Sequence, residues 1–445
     1  MRAYPSLSLP GSPDGGTAAG RLAILSMHTS PLAQAGTGDG GGMNVYVREL
    51  ATSLARSGVV CDIFTRAESP HQPETVTVEP GFTVHNVAAG PLEPVAKESL
   101  AELLTEWTEQ VGRRISQLER SGRAFSALHA NYWLSGVAGH TLKHELDLPL
   151  LVTFHTLDRV KADGKSSGSM FAEPARRSAA EAEIIGCADA VLASCRVEED
   201  QLVGLYGAQR SRIVRVAPGV QHAFFAPGDR RQARKAIGLD PDDQVILFVG
   251  RIQPLKGPSL AVETVAALPR QVGRLRSRAS NRSKMPTLVL IGGPSGPEGE
   301  AELDRVRLAV DAHGLGESVR IVEPQPHEML STFYRAADVC LVTSRSESFG
   351  MVAVEAAACA TPVVAAAVGG LTTIVVDGET GFLVARRSAE DFAEPVARLL
   401  DDPEHAARIG RRASSKAKAY TWRRAANQLW EKVELVTGAE LVACG

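Results

Sequence analysis

The segment Val339-Cys-Leu-Val-Thr-Ser-Arg-Ser-Glu-Ser-Phe-Gly-Met-Val-Ala-Val-Glu355 runs a short apolar strand into a glycine-bearing turn and then into an apolar helix. That order is one βα unit, and successive βα units assemble parallel sheets covered by helices. The same rhythm extends to both sides. Upstream in the second half, strands are predicted at Val245–Val249, Thr287–Ile291 and Val319–Val322 ahead of Val339–Thr343, and Pro362–Ala365 follows it. In the first half they are predicted at Leu22–Ser26, Val59–Phe64, Phe82–Val87, Ala127–Ala130, Leu150–Phe154 and Ala190–Ser194. Val47, Leu50, Ala51 and Leu54 form an i, i+3, i+4, i+7 stripe that Gly58 ends.

The rhythm breaks at Ala217-Pro218-Gly219-Val220 through Pro227-Gly228, which predicts a hinge. The expectation is an α/β chain of two doubly wound, Rossmann-like domains, residues 20–218 and 219–415, facing each other across a cleft. Residues 1–19 read as a disordered tail. Within 416–445, Thr421–Val436 has apolar residues at helical spacing and is expected to cross back onto the first domain.

Among 445 residues, 48 Lys and Arg against 51 Asp and Glu leave a net charge of −3. Such a chain has no global attraction for nucleic acid or an anionic membrane, so any anion must be held by a local site. The cluster Arg274, Arg276, Arg278, Arg282 and Lys284 has no interleaved aromatics and reads as a solvated loop. Cys61, Cys187, Cys195, Cys340, Cys359 and Cys444 show no CxxC spacing and read as reduced thiols in a cytoplasm. The segment before Gly20 has no apolar core of a signal peptide, and Gly350–Val376, the most apolar stretch, contains Glu355 and Pro362 and is not a membrane helix.

Three strand ends carry chemistry. After the first strand comes Gly36-Thr-Gly-Asp-Gly-Gly-Gly-Met-Asn44, a glycine-rich approach to a helix start of the kind that lets backbone N–H groups reach a phosphate. After Val249 comes Gly250-Arg-Ile-Gln-Pro-Leu-Lys-Gly257, whose Arg251 and Lys256 can grip a diphosphate, one as a fork and one as a point charge. After Thr343, Glu347 and Glu355 bracket a strand-to-helix turn. Glu355 sits in an apolar run, where a buried carboxylate needs a partner or a ligand.

These three motifs, in this order, resemble the retaining glycosyltransferases of the GT-B fold, family four, over nearly the whole chain after residue 20. The runs at 26–31, 36–46, 131–136, 154–156, 253–258 and 292–297 are similar to members that move N-acetylglucosamine from UDP-N-acetylglucosamine to 1D-myo-inositol 3-phosphate, opening mycothiol synthesis. The resemblance implies an acceptor-binding first domain and a nucleotide-sugar-binding second one. It assigns Arg251 and Lys256 to the diphosphate, Glu355 to the ribose and Glu347 to the transferred sugar, with Gln34, Ala35, Gly42 and Gln325 also on the donor side. On the acceptor side it implies His28, Asp39, Gly40, Gly41, Gly42, Met43, Asn44, Lys97, Tyr132, Thr156 and Arg176. Because Arg177 follows Arg176, that register stays open.

Glu347 and His155 are the candidate catalytic residues. Neither glutamate has a neighbouring carboxylate placed for double displacement, which favours front-face attack with the leaving UDP oxygen taking the acceptor proton. No cofactor is expected for catalysis. The resemblance implies a non-catalytic Mg²⁺ on main-chain oxygens around Phe333, Tyr334, Ala336 and Thr361, and a homodimer. Alternatives are a transferase with another acceptor, such as a sucrose-phosphate-forming enzyme, a nucleotide-sugar epimerase, or a catalytically silent sensor. A dinucleotide-dependent dehydrogenase lacks its glycine fingerprint here.

Overall fold

The computed structural model describes residues 20–36, 38, 40–122, 124–163, 175–275 and 285–444. The tail expected over 1–19, Asp39, and the basic residues Arg276, Arg278, Arg282 and Lys284 lie outside them.

The apolar runs become two sheets. The first contains β1 (Gly20–Leu25), β2 (Val59–Arg66), β3 (Thr75–Glu79), β4 (Phe82–Val87), β5 (Ala127–Asn131), β6 (Leu150–Thr153), β7 (Ala190–Ala193) and β8 (Ile213–Arg215), in the order β3-β4-β2-β1-β5-β6-β7-β8. Every pairing is parallel except β3 with β4. The second contains β9 (Val245–Val249), β10 (Thr287–Ile291), β11 (Val319–Val322), β12 (Val339–Val342), β13 (Val363–Ala366) and β14 (Gly381–Val384), in the order β11-β10-β9-β12-β13-β14. Its pairings are all parallel.

In the second sheet, and in the first once β3 is set aside, the chain starts in the middle, steps outward, then returns to build the other side. The order therefore reverses between β1 and β5 and again between β9 and β12, and such switch points open crevices beyond the carboxyl ends of the strands. The long loop after β1 and the loops after β9 and β12 leave from those points. Buried runs such as Leu22–Leu25 and Val363–Ala366 are apolar on both faces because helices cover both sides of each sheet.

Strands β3, β8 and β14 are additions to the sequence reading. All three are short and lie at sheet edges; in β3 and β8 half-burial also weakens the apolar signal, and β3, Thr-Val-Thr-Val-Glu, is an alternating strand with exposed positions.

The helix Trp422–Thr437 packs on the helix Gly42–Arg56, and its Trp422, Ala425, Ala426, Leu429 and Val433 enter the core around Tyr46, Val47 and Leu50. The chain then continues over the first sheet's helices as far as Cys444, and here one expectation is corrected. Cys187 and Cys444 are disulfide-bonded, while Cys61, Cys195, Cys340 and Cys359 are free and buried. The bonded pair is separated by 257 residues, and only the returning C-terminal segment brings the two together. No helix among the described residues is long and apolar enough to cross a membrane.

Candidate active site

The two strand-end motifs of the second sheet converge beside the glycine-rich loop that follows β1. Lys256 Nζ donates to Glu347 Oε2 at 2.6 Å, and Ser344 Oγ donates to the same oxygen at 3.2 Å. The helix Met351–Ala358 begins at Gly350, whose φ of +104° and whose Cβ-equivalent position 2.8 Å from Leu371 Cδ2 exclude other residues without strain. One turn later the helix turns Glu355 inward, where 3% of it is exposed. Its two oxygens accept hydrogen bonds from His327 Nε2 at 2.7 Å and Tyr334 Oη at 2.8 Å. Burial by itself would push the His327 imidazole down, but the adjacent Glu355 carboxylate holds it above its ordinary value. Ala35, Gly41, Gly42, Arg251, Lys256, Gln325, Glu347 and Glu355 line one cavity of about 180 Å³.

A second cavity of about 470 Å³ shares Gly41, Gly42, Arg251, Lys256 and Glu347 with the first and runs toward the first sheet. There it is lined by His28, Met43, Lys97, Tyr132, His155 and Thr156, which come from the ends of β1, β5 and β6, from the start of the helix Gly42–Arg56 and from the 3-10 turn Lys97–Leu103. Burial, aided by the cations Lys97, Arg251 and Arg177, pushes the His28 imidazole down to about 3, and its Nδ1 is buried with no hydrogen-bond partner among the described residues. His155 is likewise pushed down to about 3 by burial and neighbouring His129. It adopts φ +61° and contacts Asn131 Oδ1 through Nε2 at 2.9 Å, so a neutral ring is held in one orientation by a strained turn.

The sheets approach closely around this cleft. Ser348 Oγ donates to His155 O, Ser194 Oγ donates to Ser348 O at 3.3 Å, and Gln34 Nε2 donates to Pro324 O at 3.1 Å. Ser295 Oγ donates to Gly38 O at 2.8 Å, and Arg251 Nη1 donates to Ser295 at 3.3 Å. The glycine-rich loop is thereby held against the second sheet. Gly369, with φ +49°, lies beneath Glu347: a Cβ there would meet the Glu347 carbonyl oxygen at 1.9 Å.

Several sequence-predicted residues stand elsewhere. Gln34 is spent on Pro324, outside both cavities. Gly40 is buried in the loop, with its carbonyl accepting from Gly36 N at 2.9 Å. Asn44 faces the loop: its Oδ1 accepts from Gly41 N at 2.8 Å, and its Nδ2 donates to Thr29 Oγ1 and Ser30 O, both at 2.6 Å. It shapes the turn that presents Gly41 and Gly42.

At the register left open between Arg176 and Arg177, it is Arg177 that partners Tyr132 and Thr156. Arg176 is exposed, whereas Arg177 is fully buried and donates to Tyr132 Oη (3.1 Å), Thr156 O (2.7 Å) and Thr156 Oγ1 (3.0 Å). Glu181 Oε1 pairs with it at 2.7 Å, one helical turn on. Sequence reading also missed His327 and the side chain of Tyr334 as partners of Glu355, which nothing in their local pattern marks, and Glu198. The latter lines the larger cavity, accepts from Ser194 N at 2.7 Å, and has its carboxyl pushed up by burial. Its position in the first turn of a helix was the available signal.

Known proteins carry the same pattern. The family model described as "Glycosyl transferases group 1" matches residues 229–416, and "Glycosyl transferase 4-like domain" matches 41–219. The chain is 44% identical over 407 residues to the D-inositol 3-phosphate glycosyltransferase of Kribbella flavida, covering 90% of this chain and 92% of the relative. It is 42% identical to that of Actinosynnema mirum, covering 92% and 95%. This chain belongs to the D-inositol 3-phosphate glycosyltransferase family.

Among solved structures, sucrose-phosphate synthase from Thermosynechococcus elongatus superposes with a TM-score of 0.85 at 31% identity, covering 95% of this chain and all of that one. Anabaena HepE in complex with UDP and glucose superposes at 0.71 and 18% identity, covering 94% of this chain and all of that one, a likeness of fold. The two facing sheets are accordingly those of a GT-B glycosyltransferase.

The main-chain oxygens expected to hold Mg²⁺ lie at the end of the helix Leu330–Ala336. Phe333 O and Tyr334 O accept from Ala337 N, Thr361 Oγ1 donates to Tyr334 O at 2.6 Å, and Ala336 O accepts from Arg234 Nε at 2.9 Å. Each of these carbonyl oxygens already accepts a donor from the protein, and Arg234 is itself paired with Asp338 at 2.7 Å.

Proposed function

We propose that the cleft transfers N-acetylglucosamine from UDP-N-acetylglucosamine to 1D-myo-inositol 3-phosphate with retention of configuration, as the first step of mycothiol synthesis. The observation that carries this reading is the continuity of two cavities of different character. One contains Glu355 and the other Lys97, Tyr132 and Thr156, with Gly42, Arg251, Lys256 and Glu347 common to both. The relatives' name supplies the acceptor, and the resemblance of the motifs supplies the donor and the pathway.

In this reading Arg251 and Lys256 take the diphosphate, and Glu355, held by His327 and Tyr334, accepts hydroxyls of the ribose with its remaining lone pairs. Glu347, anchored by Lys256 and Ser344, orients the sugar rather than attacking it. The bond from the anomeric carbon to the UDP oxygen breaks while the acceptor oxygen bonds to the same face. The acceptor's proton passes to the departing phosphate oxygen, and the two cations stabilise the charge that develops there. Neutral His28 and His155 hold the acceptor side without adding charge. Closure of the two domains over the cleft excludes water, the competing nucleophile. The cytoplasmic homodimer implied by the resemblance belongs to the same proposal.

The test is UDP release from UDP-N-acetylglucosamine with 1D-myo-inositol 3-phosphate, free inositol and fructose 6-phosphate compared side by side. Selective turnover with the inositol phosphate is expected. Turnover with fructose 6-phosphate alone would replace this reading by the sucrose-phosphate type, which the fold likeness at 31% identity favours second.

A further inference from the structure

We propose that His140, His144, Cys187 and Cys444 form, in the reduced protein, a binding site for a zinc-class divalent ion that staples the C-terminal segment to the first sheet's helices. His140 and His144 stand one turn apart on the helix Tyr132–Leu146, with ring centroids 5.3 Å apart. Cys187 ends the neighbouring helix Ala175–Cys187. Cys444 arrives on the returning chain, which is docked by Val442: its N–H donates to Asp189 Oδ1 at 2.7 Å, and its carbonyl accepts from Lys143 Nζ at 3.0 Å. Lys143 is fully buried and also holds Cys187 O at 2.7 Å and Asp189 Oδ1 at 3.0 Å.

This docking puts Cys444 Sγ 3.2 Å from His140 Nε2 and 3.0 Å from His144 Nε2. The ligating atoms of His140, Cys187 and Cys444 all lie within 4.8 Å of one another. Two imidazoles and two thiolates are a donor set that selects zinc over magnesium or calcium, since soft sulfur and borderline nitrogen suit a tetrahedral d¹⁰ ion. The second shell is also present. His140 turns Nδ1 toward Glu183 Oε1 at 3.5 Å, the carboxylate–histidine arrangement that orients metal-bound imidazoles.

In the structure the two sulfurs are joined, so metal binding and the disulfide exclude each other. A dithiol reductant supplies two electrons and two protons, leaving Cys187 and Cys444 as thiols and itself as a disulfide. The ion then displaces the two thiol protons. Either state ties the C-terminal ends of the same two helices whose opposite ends join Arg177 to Tyr132, a residue that lines the cleft.

The experiment is a titration of the full-length, dithiol-reduced protein with Co²⁺, followed by Zn²⁺. One equivalent of cobalt with thiolate-to-metal charge transfer and tetrahedral-intensity bands, displaced by one equivalent of zinc, is expected. Cys444→Ser and His140→Ala should each weaken binding at least about tenfold, and the oxidised protein should show no charge transfer. Reduced protein without charge transfer, or a Cys444→Ser spectrum like that of the unsubstituted chain, overturns the site. Cys444 lies on the terminal segment beyond the last helix, so that variant retains both cores.

Discussion

Lys256→Ala tests the diphosphate reading most directly. Lys256 Nζ sits 2.6 Å from Glu347, lines both cavities, and keeps 23% of its side chain exposed against 18% for Glu347. A pair that close to solvent contributes about 1 kcal/mol or less to stability, so the variant should fold with a nearly unchanged thermal midpoint. The catalytic cost is larger. A cation about 4 Å from a leaving phosphate, at an effective dielectric near 20, interacts by about 4 kcal/mol. Losing one preorganised donor to developing negative charge commonly costs about 10²–10³ in kcat. The expected result is therefore a fall of about 10²-fold or more in kcat for UDP release, measured with saturating donor and acceptor so that weakened binding is not mistaken for slowed chemistry. Lys256→Arg, which keeps the charge, should recover part of it. If Lys256→Ala turned over within about threefold of the unsubstituted enzyme, a loss below about 1 kcal/mol, its assignment to the leaving group would be wrong.

Other expectations follow from the same geometry. Arg177→Ala leaves the fully buried Glu181 without its cation and should cost about 3–5 kcal/mol in denaturant unfolding, whereas Arg176→Ala, at an exposed position, should stay within about 0.5 kcal/mol; equal effects would contradict Arg177 as the buried partner. Gly369→Ala should abolish turnover, because a Cβ 1.9 Å from Glu347 O has to displace the backbone that carries Glu347; retained activity would show that this backbone is not needed in place. His28, His129 and His155 are pushed down to about 3 by burial, so between that value and their ordinary 6.5 the unfolded chain binds protons that the folded chain refuses. Their contribution is complete above pH 6.5 and is lost on acidification, at up to about 1.4 kcal/mol per pH unit for each. Thermal midpoints should fall accordingly, and His129→Gln should flatten the slope; an unchanged slope would remove that histidine from the account.

What the chain determined by itself is what acts over a few residues. Alternating apolar strands and amphipathic helices specified two parallel sheets, because each βα unit satisfies its own backbone and exposes an apolar face that needs another. Glycines and cations just past strand ends marked the cleft, since in such sheets the crevice lies beyond the carboxyl ends. Arg251, Lys256, Glu347 and Glu355 were legible for that reason.

Tertiary structure decided which side chains meet. Whether Arg176 or Arg177 reaches Tyr132 depends on the rotation of one helix against another, 100° per residue, which its own composition does not set. That Asn44 shapes a loop while Met43 lines the cavity is decided by where the chain brings Thr29 and Ser30 against Asn44. His327 and Tyr334 reach Glu355 from 28 and 21 residues away, and Cys444 reaches Cys187 across 257. Such pairings depend on how the two cores and the returning helix pack, a long-range outcome that no local periodicity encodes.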